Sequence, residues 1–241
     1  MSKQPPQQQP PPVQRLRIQY AKRGRLRFTS HRDFSRAFER ALFRARLPMA
    51  YSSGFNPHPR ISYAGAAPTG TASEAEYLEI ALAQVCDPDL VAQDIDQALP
   101  VGLDVVRVVE AGEGPLADRL QVSCWQVSVA GLDPSLAQQA VERFVETPSI
   151  EVERMTKKGP RRSDVRSAVI EISYLPDAQL LEILLRHTTP SVRAGDVLDA
   201  IAKISGLSFA NSVQTREWQG VLSDSGERVD VRIVEELCLE A

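Results

Sequence analysis

The sequence is poor in the residues that metal and redox chemistry draw on. Cys86, Cys124 and Cys238 stand far apart with no Cys-x-x-Cys spacing, which argues against a disulfide framework, a structural zinc site and an iron–sulfur cluster of the chain's own. They read as reduced thiols. The histidines are three, His31, His58 and His187, too scattered to assign to a metal, and no metal residue is proposed from the sequence. No run of about 18 apolar residues is present and the N-terminus lacks the apolar core of a signal peptide, so the expectation is a cytoplasmic protein with no membrane partner. A Gly-rich phosphate loop, a dinucleotide fingerprint and a Gly-x-Ser-x-Gly elbow are all missing, which removes the usual supports for a nucleotide-dependent or acyl-transfer enzyme.

What is there in excess is positive charge in one place. Over the whole 241 residues the formal net charge is -3. Residues 15–63 nevertheless carry twelve Lys or Arg against two acids, Asp33 and Glu39, while residues 64–241 hold fifteen bases against twenty-nine acids. A segment near +10 joined to a remainder near -14 is the asymmetry of a fold that offers one face to a polyanion and keeps the rest soluble.

The pattern along the chain predicts an α+β protein. Residues 1–14, MSKQPPQQQPPPVQ, are Pro and Gln with hardly an apolar anchor and predict a disordered tail. From Arg15, RLRIQY and RLRF alternate with the period of a strand or hairpin around the turn KRG. Ser30 and Asp33 then form a capping pair, and Phe34, Ala37, Phe38, Ala41, Leu42 and Ala45 make one apolar stripe on a helix over 31–46 that Pro48 ends. A short strand at 61–64, the strand EYLEIAL, a helix near 88–99 and the strand LDVVRVVE complete the order strand, helix, strand, strand, helix, strand. That is the ferredoxin-like plan, expected over 15–112. After the linker AGEGPLAD, a second ferredoxin-like half is expected over 119–241, built from RLQVSCWQVSV, the helix PSLAQQAVERFVE, IEVERM, LLEILLRH, the helix GDVLDAIAKI and SFANSVQTREW, with 157–175 an unassigned insertion. A C-terminal hairpin is expected around Asp224 to Glu227.

Arg32, Arg36, Arg40 and Arg44 recur every fourth residue on the first helix, a ridge that drifts about 40° per step and lies off the apolar stripe. Arg25 and Arg27 approach from the preceding strand, beside Lys22 and Arg23, and Arg60 follows in the loop. Such a ridge is either a solvated surface or a phosphate contact, and twelve bases against two acids favours the latter. RNA fits better than duplex DNA, because no helix-turn-helix, zinc finger or basic zipper is present. A second basic run, Arg154, Lys157, Lys158, Arg161, Arg162 and Arg166, is a second clamp or a soluble loop. The stretch Tyr51, Ser53, Gly54, Phe55, Asn56, Pro57, His58 and Pro59 combines aromatic and amide side chains with restricted backbone, and is a base-holding surface or a turn whose rings cap the core. His31, at a helix start near Asp33, is a candidate for general acid–base work and equally a hydrogen-bonding residue.

The succession GRLRFTSHRDFSRAFERAL and LPMAYSSGFNPHPRISYAGAAPTGTASEAEYLEIAL resembles the signature of the radical-SAM-linked protein family, a domain of unknown function. Weaker similarity runs on through SDVRSAVIEISYL and AGDVLDAIAKI. The positions shared with that pattern are Gly24, Ser30, His31, Asp33, Tyr51, Ser53, Gly54, Phe55, Asn56, Pro57, Pro59, Arg60, Gly70, Ser73 and Glu76; Arg32 departs from it, standing where relatives often carry an apolar residue. The resemblance implies a partner, a radical SAM enzyme that carries an iron–sulfur cluster, SAM and cobalamin, and, through frequent proximity to ribonuclease E/G genes, a link to RNA. This chain lacks the Cys-x-x-x-Cys-x-x-Cys cluster motif, so those cofactors are expected on the partner and none on the chain itself. The function expected is an RNA-binding adapter that presents rRNA or tRNA to such an enzyme. The alternatives are a metal-independent endoribonuclease of the repeat-associated type using His31, and a protein-docking module without RNA.

Overall fold

In the computed structural model, residues 8–129, 131–156, 159–223 and 226–230 are described, and the chain divides into two compact units, Met1–Asp118 and Arg119–Ala241. It is a mixed α+β protein with four α-helices among the described residues and antiparallel strand pairing in each unit.

The first unit runs β1 (Gln14–Lys22), α1 (His31–Arg44), β2 (Ile61–Ala64), β3 (Ala72–Leu82), α2 (Pro88–Ala98) and β4 (Leu103–Glu110). β1 lies between β4 and β3, with Ile18 opposite both Val108 and Leu78, and β2 pairs with β3, Tyr63 opposite Leu78. Alternation in β1 sends Leu16, Ile18 and Tyr20 into a core shared with Leu78 and Ile80 of β3, Phe34, Phe38 and Leu42 of α1, and Val91 and Ile95 of α2. The apolar stripe predicted on α1 is therefore its buried face, and Phe38 is wholly enclosed.

Three local expectations change. The tail predicted through residue 14 ends sooner: Val13 N–H already donates to the Leu82 carbonyl, and Gln14 is a buried strand residue whose side chain bonds the backbone of Cys86 at both ends. Residues 1–7 lie outside the described residues. RLRF is not a strand. Gly24 takes φ +53° and Gly24–Phe28 coils into a 3-10 turn, so Arg25 and Arg27 do not alternate along a sheet as expected. Helix α1 stops at Arg44, before Pro48 is reached, because Arg46 turns left-handed at φ +53° while Leu47 N–H reaches the Leu42 carbonyl and Arg46 N–H that of Phe43. This is a Schellman end with arginine where glycine is usual.

The second unit contains β5 (Val122–Ser128), α3 (Pro134–Glu146), β6 (Glu151–Thr156), β7 (Gly159–Asp164), β8 (Val169–Leu175), β9 (Leu180–Arg186), α4 (Ala194–Ser205), β10 (Val213–Leu222) and β11 (Arg228–Asp230). Its sheet has the order β10, β5, β9, β8, with β11 on β10. IEVERM, expected in this sheet, instead pairs with β7 in a separate two-stranded ribbon, and β8, from within the unassigned stretch, takes the sheet position. The physical reason is that 159–164 alternates weakly but lies directly after 151–156, so a local hairpin closes before any longer-range pairing. Ile183, Val197, Ile201 and Phe144 centre the core of this unit. The expected C-terminal hairpin is the β10–β11 pair, Leu222 opposite Arg228, while Asp224 of its predicted turn lies outside the described residues. No helix among the described residues is long and apolar enough to cross a membrane.

Candidate nucleic-acid interface

Helix α1 separates two chemistries by its own periodicity. Phe34, Phe38, Ala41 and Leu42 are buried, while Arg32, Arg36, Arg40 and Arg44 are exposed on the remaining face. Ser30 caps the helix, its Oγ accepting from Asp33 N–H at 3.2 Å while its hydroxyl donates to the Asp33 carboxylate at 2.7 Å. The cap leaves Asp33 engaged locally. Among the described residues, none of the four arginines of α1 forms an ion pair, and only Arg44 has a side-chain hydrogen bond, a long one of 3.5 Å to the Ala98 carbonyl.

The twelve bases of the segment divide sharply. Arg15 and Arg17 pair with Glu79, and Arg23 is clasped by Glu74 and Asp104 (2.8 Å), whose carboxylates, Glu74 above all, hold its guanidinium pKa well above the ordinary value. Arg17, only 3 % exposed, also donates to the carbonyls of Gly112 and Gly114 in the linker, and Lys22 is buried against the carbonyls of Ala67 and Pro68. These four build the fold. Arg25 is exposed, and Arg27 lies over the ring of Phe28 with 4.6 Å to its centroid. Arg60 is half-buried and donates from Nε to the Tyr51 carbonyl at 3.0 Å, so it braces the neighbouring loop.

That loop is a small hairpin. Tyr51 pairs with Pro59, Ser52 N–H donates to the His58 carbonyl at 2.9 Å, and His58 N–H donates to Ser52 Oγ at 3.0 Å. Gly54 at φ +141° makes the bend. Ser53, Phe55, Asn56, Pro57 and His58 are exposed around the tip. The alternative in which the rings cap the core does not describe Phe55, which is 61 % exposed.

Between this hairpin and α1 runs a groove of about 890 Å³, lined by Arg36, Arg40 and Arg46, with Phe43, Leu47, Met49, Tyr51 and Pro59 supplying apolar wall and Glu39 the one acid. Arg46 and Phe43 were absent from the residues picked out in the sequence. Their signals were weak but present: Phe43 is an aromatic off the apolar stripe, and Arg46 sits where the helix should be ending. Phe43 is 83 % exposed, an unusual position for a phenyl ring.

The second basic run behaves differently. Arg154 pairs with Asp196 at 2.5 Å and Arg162 with Glu153 at 2.8 Å, while Arg166 bonds the Val145 and Val169 carbonyls and lies over the Phe144 ring. Arg161 faces Arg154 across the β6–β7 ribbon, and Lys157 and Lys158 lie outside the described residues. The run expected as a second clamp or a soluble loop therefore includes strands of a ribbon on either side of those lysines, and Arg154 and Arg162 are committed to carboxylates.

His31 is exposed, its ring edge-on to Tyr63 at 4.9 Å. The polar residues that follow it are otherwise placed: Asp33 is engaged in the cap with Ser30, and Arg32 is exposed. Glu76 accepts from Ala67 N–H at 2.9 Å while Glu74 holds Arg23. Among the described residues no three His, Cys, Asp or Glu side chains gather into a metal-binding cluster. His187, in the second unit, touches the Leu120 carbonyl through Nδ1 (2.6 Å) and Ser123 Oγ through Nε2 (3.0 Å), and burial lowers its pKa.

No curated protein matches the chain. Residues 15–194 match a family described as an uncharacterized protein conserved in bacteria, DUF2344, and the match itself carries no link to radical SAM proteins. It spans both the cationic groove and most of the second unit, so the chain belongs to this uncharacterized bacterial family.

Proposed function

We propose that this protein is an RNA-binding adapter, and that it presents an rRNA or tRNA to a radical SAM modifying enzyme in the cytoplasm. The observation that carries the RNA half is the groove in which Arg36, Arg40 and Arg46 stand without carboxylate partners among the described residues, beside exposed aromatic rings. A self-repelling group of guanidinium ions is favourable chiefly when phosphates neutralise it. The partner half rests on the resemblance of the 51–77 motif and its flanks to the radical-SAM-linked pattern. The strand orders β4, β1, β3, β2 and β10, β5, β9, β8 support reading each unit as ferredoxin-like, with the β6–β7 ribbon inserted in the second.

Anisotropy of a labelled single-stranded RNA tests the first half. If Arg32, Arg36, Arg40, Arg44 and Arg46 neutralise about five phosphates, the logarithmic salt slope is about -3.5, and affinity falls about 100-fold between about 50 and 200 mM salt. Changing Arg36, Arg40 and Arg44 to Glu should abolish the complex. Salt-insensitive binding, or none, removes the reading and leaves a docking module; metal-free cleavage of the RNA that disappears in His31→Ala replaces it by a nuclease. Copurification with the radical SAM enzyme tests the second half.

A further inference from the structure

The groove contains more than charge. Phe43 and Tyr51, 83 % and 41 % exposed, stand beside its arginines, and Phe55, 61 % exposed, crowns the hairpin whose stem includes Tyr51. A surface built only for phosphates has no use for rings in water, where each exposed phenyl forfeits the burial that normally holds it in a core. The hairpin is also pre-organised: the Ser52–His58 bonds, the Arg60 brace on the Tyr51 carbonyl and the bend at Gly54 define its shape before any ligand arrives, so little ordering entropy remains to be lost on binding. On the other side of Pro59 a second hollow of about 370 Å³ presents His58, Arg60 and Arg15, although Arg15 is shared with Glu79 there. The hairpin therefore stands between the cationic groove and a second, smaller hollow of mixed charge.

We propose, resting on the RNA-binding reading above, that this site selects unpaired nucleotides: the backbone follows the arginines of the groove while bases stack on Phe43, Tyr51 and Phe55. Base faces are accessible only outside a duplex, in which stacking neighbours cover them, so rings that stand clear of the surface discriminate in favour of single strands and loops. Phosphate contacts alone would bind either form.

Three RNAs separate the parts of this inference: an unstructured oligonucleotide of about 12 nucleotides, a duplex of the same length, and the oligonucleotide with one 2-aminopurine as a reporter of base stacking. The unpaired strand is expected to bind about 10-fold more tightly than the duplex at equal salt, with a change in 2-aminopurine emission on binding. In Phe43→Ala/Phe55→Ala that preference and the emission change should be lost while the salt slope is kept. Both rings are exposed, so an unchanged melting temperature verifies that the variant folds. Equal affinity for strand and duplex, or a double variant indistinguishable from the parent, overturns the stacking proposal and leaves a phosphate-only RNA surface. Absence of salt-sensitive binding to every RNA overturns both readings together.

Discussion

Replacing Arg46 with glycine should raise stability and lower RNA affinity at once. Arg46 occupies the left-handed position of the Schellman end of α1 at φ +53°, where its N–H bonds the Phe43 carbonyl and the next N–H bonds that of Leu42. Holding an L-residue there costs about 1–2 kcal/mol, and glycine removes that cost while conceding about 0.5–1 kcal/mol through its greater freedom in the unfolded chain. Its side chain is exposed and forms no ion pair among the described residues, so nothing else is lost. The net expectation is a gain of about 0.5–1 kcal/mol, seen as a rise in melting temperature of about 1–4 °C by differential scanning calorimetry. In the anisotropy titration the salt slope should become shallower by about 0.7, one single-stranded phosphate contact. A lower melting temperature would show that the arginine has a structural task and that its place in the groove is incidental. A higher one with unchanged RNA affinity would show that the groove's third guanidinium does not meet phosphate.

Two further expectations concern the second unit. Burial, opposed by the bond to the Leu120 carbonyl and aided by the charge of Arg216, lowers the His187 pKa below its ordinary 6.5. The unfolded chain then binds the extra proton first as pH falls, so this group's contribution to stability is intact above about pH 6.5 and is lost on acidification toward the depressed pKa. Urea titrations between about pH 7.5 and 5.5 should show that loss, and His187→Gln should flatten it; an unchanged profile would mean the imidazole is not held neutral by its surroundings. Burial likewise pushes the Cys124 thiol up to about 11. In a Cys86→Ser/Cys238→Ser background a thiol reagent at pH 8 should react only after denaturant is added, and rapid labelling of the native protein would contradict the buried position on β5.

Charge separation was legible without coordinates because it is a sum over residues, and the stripe on α1 because helical periodicity repeats over four turns. Which bases remain available was not. Arg23 and Arg36 look alike in the sequence, yet one is held by Glu74 from β3 and Asp104 from β4 and the other lines a groove, since the partners lie about 50 to 80 residues away in the chain. Local conformation at glycine 24 decided that RLRF would coil. Short-range closure decided that IEVERM would pair within its own ribbon.

The chain's composition and periodicity by themselves settle that a basic segment heads an otherwise acidic α+β protein, because net charge and side-chain repeat are properties of order along the chain. Only the folded arrangement settles that Phe43, Arg46, and Tyr51 and Pro59 at the base of the hairpin line one groove with Arg36 and Arg40. A left-handed residue after α1 and a strand bridge from Tyr51 to Pro59 turn the chain back on itself, and neither turn follows from residue spacing.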